Sequence, residues 1–208
     1  DLALITSAVR ASAAAVYTQN LVKGAPLLVT RENLADGMAQ AIICNSGNAN
    51  TCNAGGVEVA QQMCTLLTQE TGVAAQDVVV ASTGVIGQPL DLTPIAKGIP
   101  PLAKALATDG ANAASEAIQT TDTIQKQIAV EFELGGVVCH IGGMAKGSGM
   151  IHPNMATMLC FVTSDVAIAP ALLQQALSQD VQSSFNMVSV DGDTSTNDMV
   201  TILANGMA

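Results

Sequence analysis

The sequence predicts a mixed α and β domain in which helices cover the faces of a sheet. Short apolar runs of strand length alternate with segments whose apolar residues recur at helical spacing. No clear linker, internal repeat or low-complexity stretch divides the 208 residues, a length that fits one large domain or two small ones. Hydrophobic residues make up 49% of the chain, so a sizeable core can form.

The first half of the chain alternates between strand and helix patterns. Apolar runs predict strands at residues 2–5, 40–44 and 77–81. Spacing of i, i+3, i+4 and i+7 predicts a helix whose buried face carries Ala60, Met63, Cys64 and Leu67. Two further helices are predicted at residues 92–107 and 111–118.

The second half contains the clearest strand signal. Alternating apolar residues predict a hairpin of strands 128–134 and 137–141, with Gly135 and Gly136 as its two-residue turn. Further strands are predicted at residues 158–163 and 186–190. A helix is predicted at residues 171–181, with one face formed by Leu172, Leu173, Ala176 and Leu177.

Charge and composition exclude several classes of partner. The chain has 7 Lys and Arg against 17 Asp and Glu, a net charge of -10, which argues against binding to nucleic acid. No strongly apolar stretch reaches the length of a membrane span, and no signal peptide is visible, so we expect a cytoplasmic protein without a membrane partner. The chain opens in a strand pattern and stops inside an apolar segment, which predicts a piece of a longer protein.

The five cysteines are predicted to be reduced, mostly buried thiols of a cytosolic protein. None forms a Cys-x-x-Cys pair, and an odd number cannot all pair within one chain. The only two histidines, His140 and His152, lack ligand spacing to any cysteine pair, so we expect no metal site.

Three segments are richer in Gly, Ser, Thr and Asn than a plain scaffold requires: residues 45–56, 82–87 and 146–157. In the second, Thr83 and Gly84 follow a Val-rich strand, where outward-facing N–H groups can stabilise an oxyanion. The alternative is an ordinary turn after a strand. In the third segment, Lys146 is a candidate to bind a substrate carboxylate or to keep a nearby amine nucleophile in its neutral form. The alternative is a solvated surface lysine.

Two polar clusters have a simpler interpretation. The hydroxyls and carboxylate of residues 120–123 fit a capping or turn cluster, because Ser, Thr and Asp favour such positions. The run at residues 191–198 fails the calcium-loop test, since position six is Thr196 and position twelve is Ile202. We therefore expect a tight turn whose side chains satisfy each other.

The junction between Ala156 and Thr157 is the strongest candidate for chemistry. Small residues and Pro153 precede it, and a strand-like apolar run follows it. Cleavage there would make Thr157 an N-terminal residue with a hydroxyl nucleophile and its own α-amine as base. The alternative is an Ala-Thr pair that merely begins a buried strand.

Five segments, in order along the chain, closely resemble the ornithine acetyltransferases, which move an acetyl group between N-acetylornithine and glutamate in arginine biosynthesis. The segments are residues 44–50, 82–87, 120–123, 142–159 with the exception of His152, and 191–198. The resemblance implies a layered sheet-and-helix sandwich of the self-processing N-terminal-nucleophile type. It also implies one catalytic domain fragment over residues 1–208, cut into an α chain, 1–156, and the start of a β chain, 157–208.

The resemblance further implies a ping-pong reaction through an acetyl-Thr157 intermediate, formed after self-cleavage between Ala156 and Thr157. In it Thr83 and Gly84 stabilise the oxyanion, while Thr120, Lys146 and Thr157 bind substrate. No cofactor is implied, although some family members use acetyl-CoA as a co-substrate, and the expected assembly is α2β2. The alternative function is a self-processing amidase or aminopeptidase with the same nucleophile, in which water replaces glutamate.

Overall fold

The fold is described from a computed structural model of the chain. It describes residues 1–152 and 158–208, so the predicted cleavage pair, Ala156 and Thr157, lies outside the described residues. The strands are β1 (Leu2–Tyr17), β2 (Met38–Asn48), β3 (Val78–Val85), β4 (Lys126–Leu134), β5 (Val137–Lys146), β6 (Leu159–Ser164) and β7 (Met199–Ala204). The α-helices are α1 (Ala25–Asn33), α2 (Gly56–Thr71), α3 (Leu92–Lys104), α4 (Ala111–Ala117) and α5 (Pro170–Ser183).

The strands form one continuous sheet in the order β3-β2-β1-β7-β6-β5-β4. The long strand β1 joins the two halves of the sheet. Its first residues pair antiparallel with β2, and its last residues, from Ser12 to Tyr17, pair antiparallel with β7. The register of β1 against β2 shifts between Thr6 and Ala11, an irregularity of the kind that bends a strand.

The two halves of the sheet share a buried core. One apolar cluster contains Val79 of β3 from the first half and Phe161 of β6 from the second half. Successive side chains on a strand point to opposite faces, and Val78 and Val80 accordingly belong to a different cluster. The bent sheet therefore packs its halves face to face, as a sandwich.

Helices cover the outer faces of this sandwich. α2 and α3 pack on the β2–β3 half through residues that include Met63, Leu67 and Ile99. α5 packs on the other half through Leu173 and Val181. The predicted mixed α and β fold is confirmed, and its helix-sheet-sheet-helix layers match the layered sandwich that the resemblance implies. Within the described part of the chain, no helix is long and apolar enough to cross a membrane.

The predicted hairpin is confirmed. β4 and β5 pair antiparallel, with Leu134 opposite Val137. Gly135 and Gly136 form the turn with φ values of 61° and 83°. A two-residue turn with positive φ at both positions has the twist that suits a hairpin, and glycine adopts that conformation at little cost.

Sequence periodicity predicted the buried face of one helix and misplaced that of another. The four residues predicted to face the core from α2 are all buried: Ala60, Met63, Cys64 and Leu67. In α5, Leu173 is buried, but Leu172 is 58% exposed and Ala176 is also exposed. α2 packs against α1 and α3 as well as the sheet, whereas α5 packs mainly on β1, so a narrower stripe of α5 is buried.

The strand predicted at residues 186–190 is wrong. Phe185–Met187 forms a short 3-10 helix, and Val188 and Val190 are exposed. The position beside β1 is taken by β7 instead, which is fully buried. An apolar run with no neighbour to pair with cannot satisfy its backbone groups as a strand.

Four strands extend well beyond their predicted ends, three of them into the glycine-rich segments. β1 continues to Tyr17, β2 to Asn48, β3 to Val85 and β5 to Lys146. Gly47 and Gly84, for example, face each other in the parallel β2–β3 pair. Glycine has a low strand propensity, so the local sequence predicted loops at these positions. In the folded protein, the hydrogen bonds to a neighbouring strand outweigh that low propensity.

Candidate active site

Thr83 and Lys146 meet inside the sandwich. Thr83 stands near the end of β3 and Lys146 ends β5, so they come from opposite halves of the sheet. Lys146 Nζ donates a hydrogen bond to Thr83 Oγ1 at 3.2 Å, and both residues are buried. The alternative of a solvated surface lysine is therefore wrong, because only 4% of Lys146 is exposed.

Burial lowers the pKa of Lys146. The negative charges of Asp122 and Asp198 oppose this shift without cancelling it. An amine whose neutral form is favoured can accept a proton, or can share a site with a second amine at little electrostatic cost. The hydrogen bond also leaves the Thr83 hydroxyl proton free to be donated to another group.

Gly84 follows Thr83 in a conformation that other residues avoid, with φ of 123°. A Cβ at Gly84 would lie 2.3 Å from the carbonyl carbon of Gly47 on the neighbouring strand. Glycine is therefore required for β2 and β3 to approach this closely. The predicted oxyanion pair thus lies at the end of a paired strand rather than in a loop.

The cluster at residues 120–123 is tied to the end of β5. The carboxylate of Asp122 is fully buried, binds Lys126 at 2.6 Å and accepts the backbone N–H of Gly147 at 2.7 Å. Burial raises the pKa of Asp122, but the hydrogen bonds from Lys126 and from backbone N–H groups lower it more, so the net shift is downward. The N–H of Thr120 also donates a hydrogen bond to Asp122, so the cluster forms the expected local turn. The Thr120 residue itself is exposed.

The segment at residues 191–198 makes long-range contacts that the sequence interpretation missed. It was expected to satisfy itself as a turn, yet Asn197 Nδ2 donates to the carbonyl groups of Ala49 and Ser82 at 2.5 and 3.0 Å. Asp198 Oδ1 accepts the N–H of Met158 at 2.9 Å. The segment therefore connects the strand that carries Thr83 to the start of β6.

Asp198 is another buried ionisable group of the site. Burial raises its pKa to about 8, against smaller opposing effects from the nearby Ser195 hydroxyl, the Met158 N–H and the charge of Lys146. Its Oδ2 atom has no hydrogen-bond partner among the described residues. The signal that could have found Asp198 was its place in one of the five segments of family resemblance.

The strand that follows Thr157 begins beside Lys146. In the antiparallel β5–β6 pair, Lys146 stands opposite Leu159, two residues after Thr157. The structure therefore brings Thr83, Gly84, Lys146 and the start of β6 to one place. The roles predicted for Thr157 and Ala156 fall on residues outside the described ones.

Of the cysteines, Cys44 lies close enough to the site for a negative charge on its thiol to raise the pKa of Lys146. Cys139 is buried and His140 is exposed, as expected for neighbours on a strand. His140 Nδ1 instead pairs with Asp165 at 2.7 Å on the surface. Four of the five cysteines are buried, and Cys52 is exposed. Among the described residues, no group of three or more His, Cys, Asp or Glu could hold a metal ion.

The fold and the site together define a class: a mixed α and β protein whose bent sheet encloses a buried Lys–Thr pair beside a predicted self-cleavage junction. Comparison with known proteins specifies it further. The sequence matches the ArgJ family over residues 1–208. The chain therefore belongs to the ArgJ family.

The relatives are close in sequence and in structure. The chain is 53% identical over 209 residues to the arginine biosynthesis bifunctional protein ArgJ of Symbiobacterium thermophilum, and this match covers 100% of the chain and 52% of that protein. A crystal structure of the ArgJ protein from Bacillus halodurans is 45% identical with a TM-score of 0.70, covering 75% of this chain and 83% of that one.

A second solved structure is the ornithine acetyltransferase of Mycobacterium tuberculosis in complex with ornithine. It is 31% identical with a TM-score of 0.64, and the match covers 76% of this chain and 84% of that one. The chain spans about half the length of the Symbiobacterium relative, 52%.

Proposed function

We propose that this chain is part of a self-processing acetyltransferase of arginine biosynthesis. It cleaves itself between Ala156 and Thr157 and then moves the acetyl group of N2-acetylornithine to glutamate through acetyl-Thr157. Family membership supports this proposal, as do the names of the relatives, one of them an ornithine acetyltransferase with bound ornithine. Residues 1–156 would then form the α chain and residues 157–208 the start of the β chain.

One structural observation carries the proposal: the Lys146–Thr83 hydrogen bond lies where β6 begins. The β5–β6 register places the buried Lys146 opposite Leu159, and Leu159 follows position 157 by two residues in the sequence. A nucleophile, a nearby cation and oxyanion donors are the parts that acyl transfer requires.

The proposed chemistry runs through the new N-terminus. The Thr157 hydroxyl gives its proton to the α-amine and attacks the acetyl carbonyl of N2-acetylornithine. The oxyanion that forms is stabilised by Thr83 and Gly84, and it collapses as ornithine leaves with the proton from the α-amine. Glutamate then attacks acetyl-Thr157 by the same steps in reverse, which restores the free hydroxyl.

The α-amine must be neutral to act as a base. An ordinary α-amine titrates at about 7.7–8.0. The buried surroundings of Lys146, and its charge when protonated, both disfavour an ammonium group nearby. We therefore assign Lys146 two roles, keeping this amine neutral and binding substrate, and we assign Thr120 to substrate binding.

Three features complete the proposal. No cofactor takes part, and acetyl-CoA is a possible co-substrate for the forward synthesis of N-acetylglutamate. The α and β chains stay associated, and the assembly is α2β2. The enzyme works in the cytoplasm.

Intact mass spectrometry of the full-length protein tests this function. We expect two fragments that meet at Ala156 and Thr157, and after incubation with N2-acetylornithine we expect the β chain to gain one acetyl group. Thr157→Ala should abolish both events because it removes the hydroxyl. Thr157→Ser keeps the hydroxyl and is the matched control, which should still be cut.

Two outcomes would count against the proposal. Turnover by an uncut Thr157→Ala protein would exclude Thr157 as the nucleophile. Steady release of free acetate, with no acetyl transfer to glutamate, would instead indicate the hydrolase alternative, in which water is the acceptor.

A further inference from the structure

Two carboxylates of the segment at residues 191–198 hold the backbone on both sides of residues 153–157. On the N-terminal side, Asp191 accepts the N–H groups of Met150 and Ile151 at 2.5 and 2.8 Å. On the C-terminal side, Asp198 accepts the N–H of Met158 at 2.9 Å. The two carboxylates are seven positions apart in sequence and hold chain segments that flank the proposed cleavage junction.

Backbone hydrogen bonds reinforce both contacts. The N–H groups of Val190 and Gly192 donate to the carbonyl of Ile151 at 2.8 and 3.4 Å. On the other side, the N–H of Met199 donates to the carbonyl of Met158 at 3.0 Å. Each flank is therefore bound through both a carboxylate and main-chain groups.

The N-terminal flank needs this support, because its backbone is strained. Met150 has a φ of 61°, a left-handed conformation that is uncommon outside glycine. Such a conformation persists only where the surroundings hold it in place. Asp191 provides that hold, with one oxygen on the N–H of Met150 and the other on the N–H of Ile151.

The C-terminal flank is held in a different environment. Asp191 is exposed to solvent, whereas Asp198 is only 2% exposed, and its second oxygen has no partner among the described residues. The hydrogen bond to Asp198 holds the N–H of Met158, the residue that directly follows Thr157 in the sequence.

We infer that Asp191 and Asp198 act as a carboxylate clamp, in which Asp191 positions the cleavage junction and Asp198 positions Thr157 for both cleavage and acetyl transfer. This inference rests on the proposed function. Both carboxylates are positioning residues, since each acts on the backbone beside the junction.

The two contacts predict different defects. Asp191 holds residues that belong to the α chain after cleavage, so its contact matters for cutting and not for later turnover. Asp198 holds the residue next to the nucleophile, which is needed in both reactions. A merely structural role of Asp191 would weaken both steps together or neither, and a merely structural role of Asp198 is tested by the asparagine rescue described below.

The test compares three alanine variants of the full-length protein. Asp191→Ala should slow self-cleavage at least about tenfold, the scale of losing hydrogen bonds to a charged group, while the cut fraction keeps the wild-type kcat. Asp198→Ala should slow cleavage and also lower the kcat of the cut fraction at least about tenfold, with little change in KM. Asp193→Ala is the matched control, because its carboxylate makes no hydrogen bond with the described residues.

Asp198→Asn provides the rescue. Its amide oxygen can accept the same Met158 N–H, so cleavage rate and kcat should both return close to wild type. Where Asp198→Ala does not yield folded protein, Asp198→Glu displaces the accepting oxygen by one methylene, and we expect the same two losses.

The inference is overturned if the alanine variants cut and turn over like Asp193→Ala, or if Asp198→Asn is as impaired as Asp198→Ala. Wild-type rates in Asp198→Glu would overturn it as well. A wild-type protein that neither cuts itself nor carries an acetyl group would refute the proposed function, and the inference with it.

Discussion

At the scale of single residues, the site depends on polar groups that water cannot reach. Lys146 and Thr83 hydrogen-bond in the interior, and Asp198 lies buried close enough to affect the pKa of Lys146. Burial shifts the lysine and the carboxyl group in opposite directions, and each shift favours the neutral form. Each shift brings the pKa of its group nearer to physiological pH, where a group is suited to proton transfer.

Removing the Thr83 hydroxyl tests its proposed role in oxyanion stabilisation. We expect Thr83→Val to lower kcat by about a hundredfold, the scale of losing one oxyanion donor, because it preserves shape and removes the proton that would be donated. Steady-state kinetics on the cut full-length enzyme measures this effect.

Thr201→Val is the matched control for Thr83→Val. Thr201 is also a fully buried strand threonine, and its hydroxyl has no partner among the described residues. We expect it to keep its wild-type kcat and to be no less stable than wild type, since no hydrogen bond is lost. An unchanged kcat in Thr83→Val would move the oxyanion role to other groups.

At the scale of elements, the site is built where strands end. β3 ends just after Thr83 and Gly84, β5 ends at Lys146, and β6 begins on the other side of the predicted junction. The parallel β2–β3 pair closes on Gly47 and Gly84, where a Cβ at Gly84 would collide with the Gly47 backbone. Glycine at position 84 is therefore a requirement of strand pairing as well as of any chemistry.

Alanine at the two glycines should have unequal effects. Both have positive φ, but a Cβ at Gly84 would lie 2.3 Å from the Gly47 backbone, whereas a Cβ at Gly47 would meet nothing within 4 Å. We expect Gly47→Ala to lower the free energy of unfolding by about 1–3 kcal/mol through backbone strain. Gly84→Ala should lower it further, because β2 must also move.

Denaturant unfolding of the two glycine variants measures the difference. Equal losses in Gly47→Ala and Gly84→Ala would mean that strain alone matters and that the two strands can separate without cost. A larger loss in Gly84→Ala would support the close approach of β2 and β3.

At the scale of the whole molecule, one bent strand creates the interior in which the site lies. β1 pairs with β2 at its beginning and with β7 at its end, so it belongs to both layers of the sandwich. The interior then receives side chains from both halves, which is how Thr83 of β3 meets Lys146 of β5. Buried ionisable groups in such an interior make the stability of the entire fold depend on pH.

Asp198 should make the protein less stable as the pH rises. Its pKa is raised on folding from 3.8 to about 8, so the folded state keeps a proton that the unfolded state releases in this window. Its contribution to stability is therefore fully present below 3.8 and is lost as the pH rises to about 8. Asp198→Asn cannot titrate, so it should gain stability relative to wild type across this window and no further above it.

Denaturant unfolding of both full-length proteins across this pH range measures that difference. Taking the difference between the two proteins cancels the pH-dependent stability contributed by the other carboxyl groups. Asp36 and Asp165, for example, have lowered pKa values, so their contributions to stability are lost only in acid. A difference that does not vary with pH would show that Asp198 is ionised in the folded protein.

The sequence alone determined the alternation of strands and helices, the Gly-Gly hairpin and the buried face of α2, because these follow from local periodicity and turn chemistry. It also singled out Thr83, Gly84 and Lys146 by their resemblance to a family. Only the tertiary structure decided that Lys146 is buried against Thr83, that β3 and β5 extend through their glycines, and that Asp198 reaches Met158. Those facts depend on strand pairing and burial between residues distant in sequence, which no local pattern records.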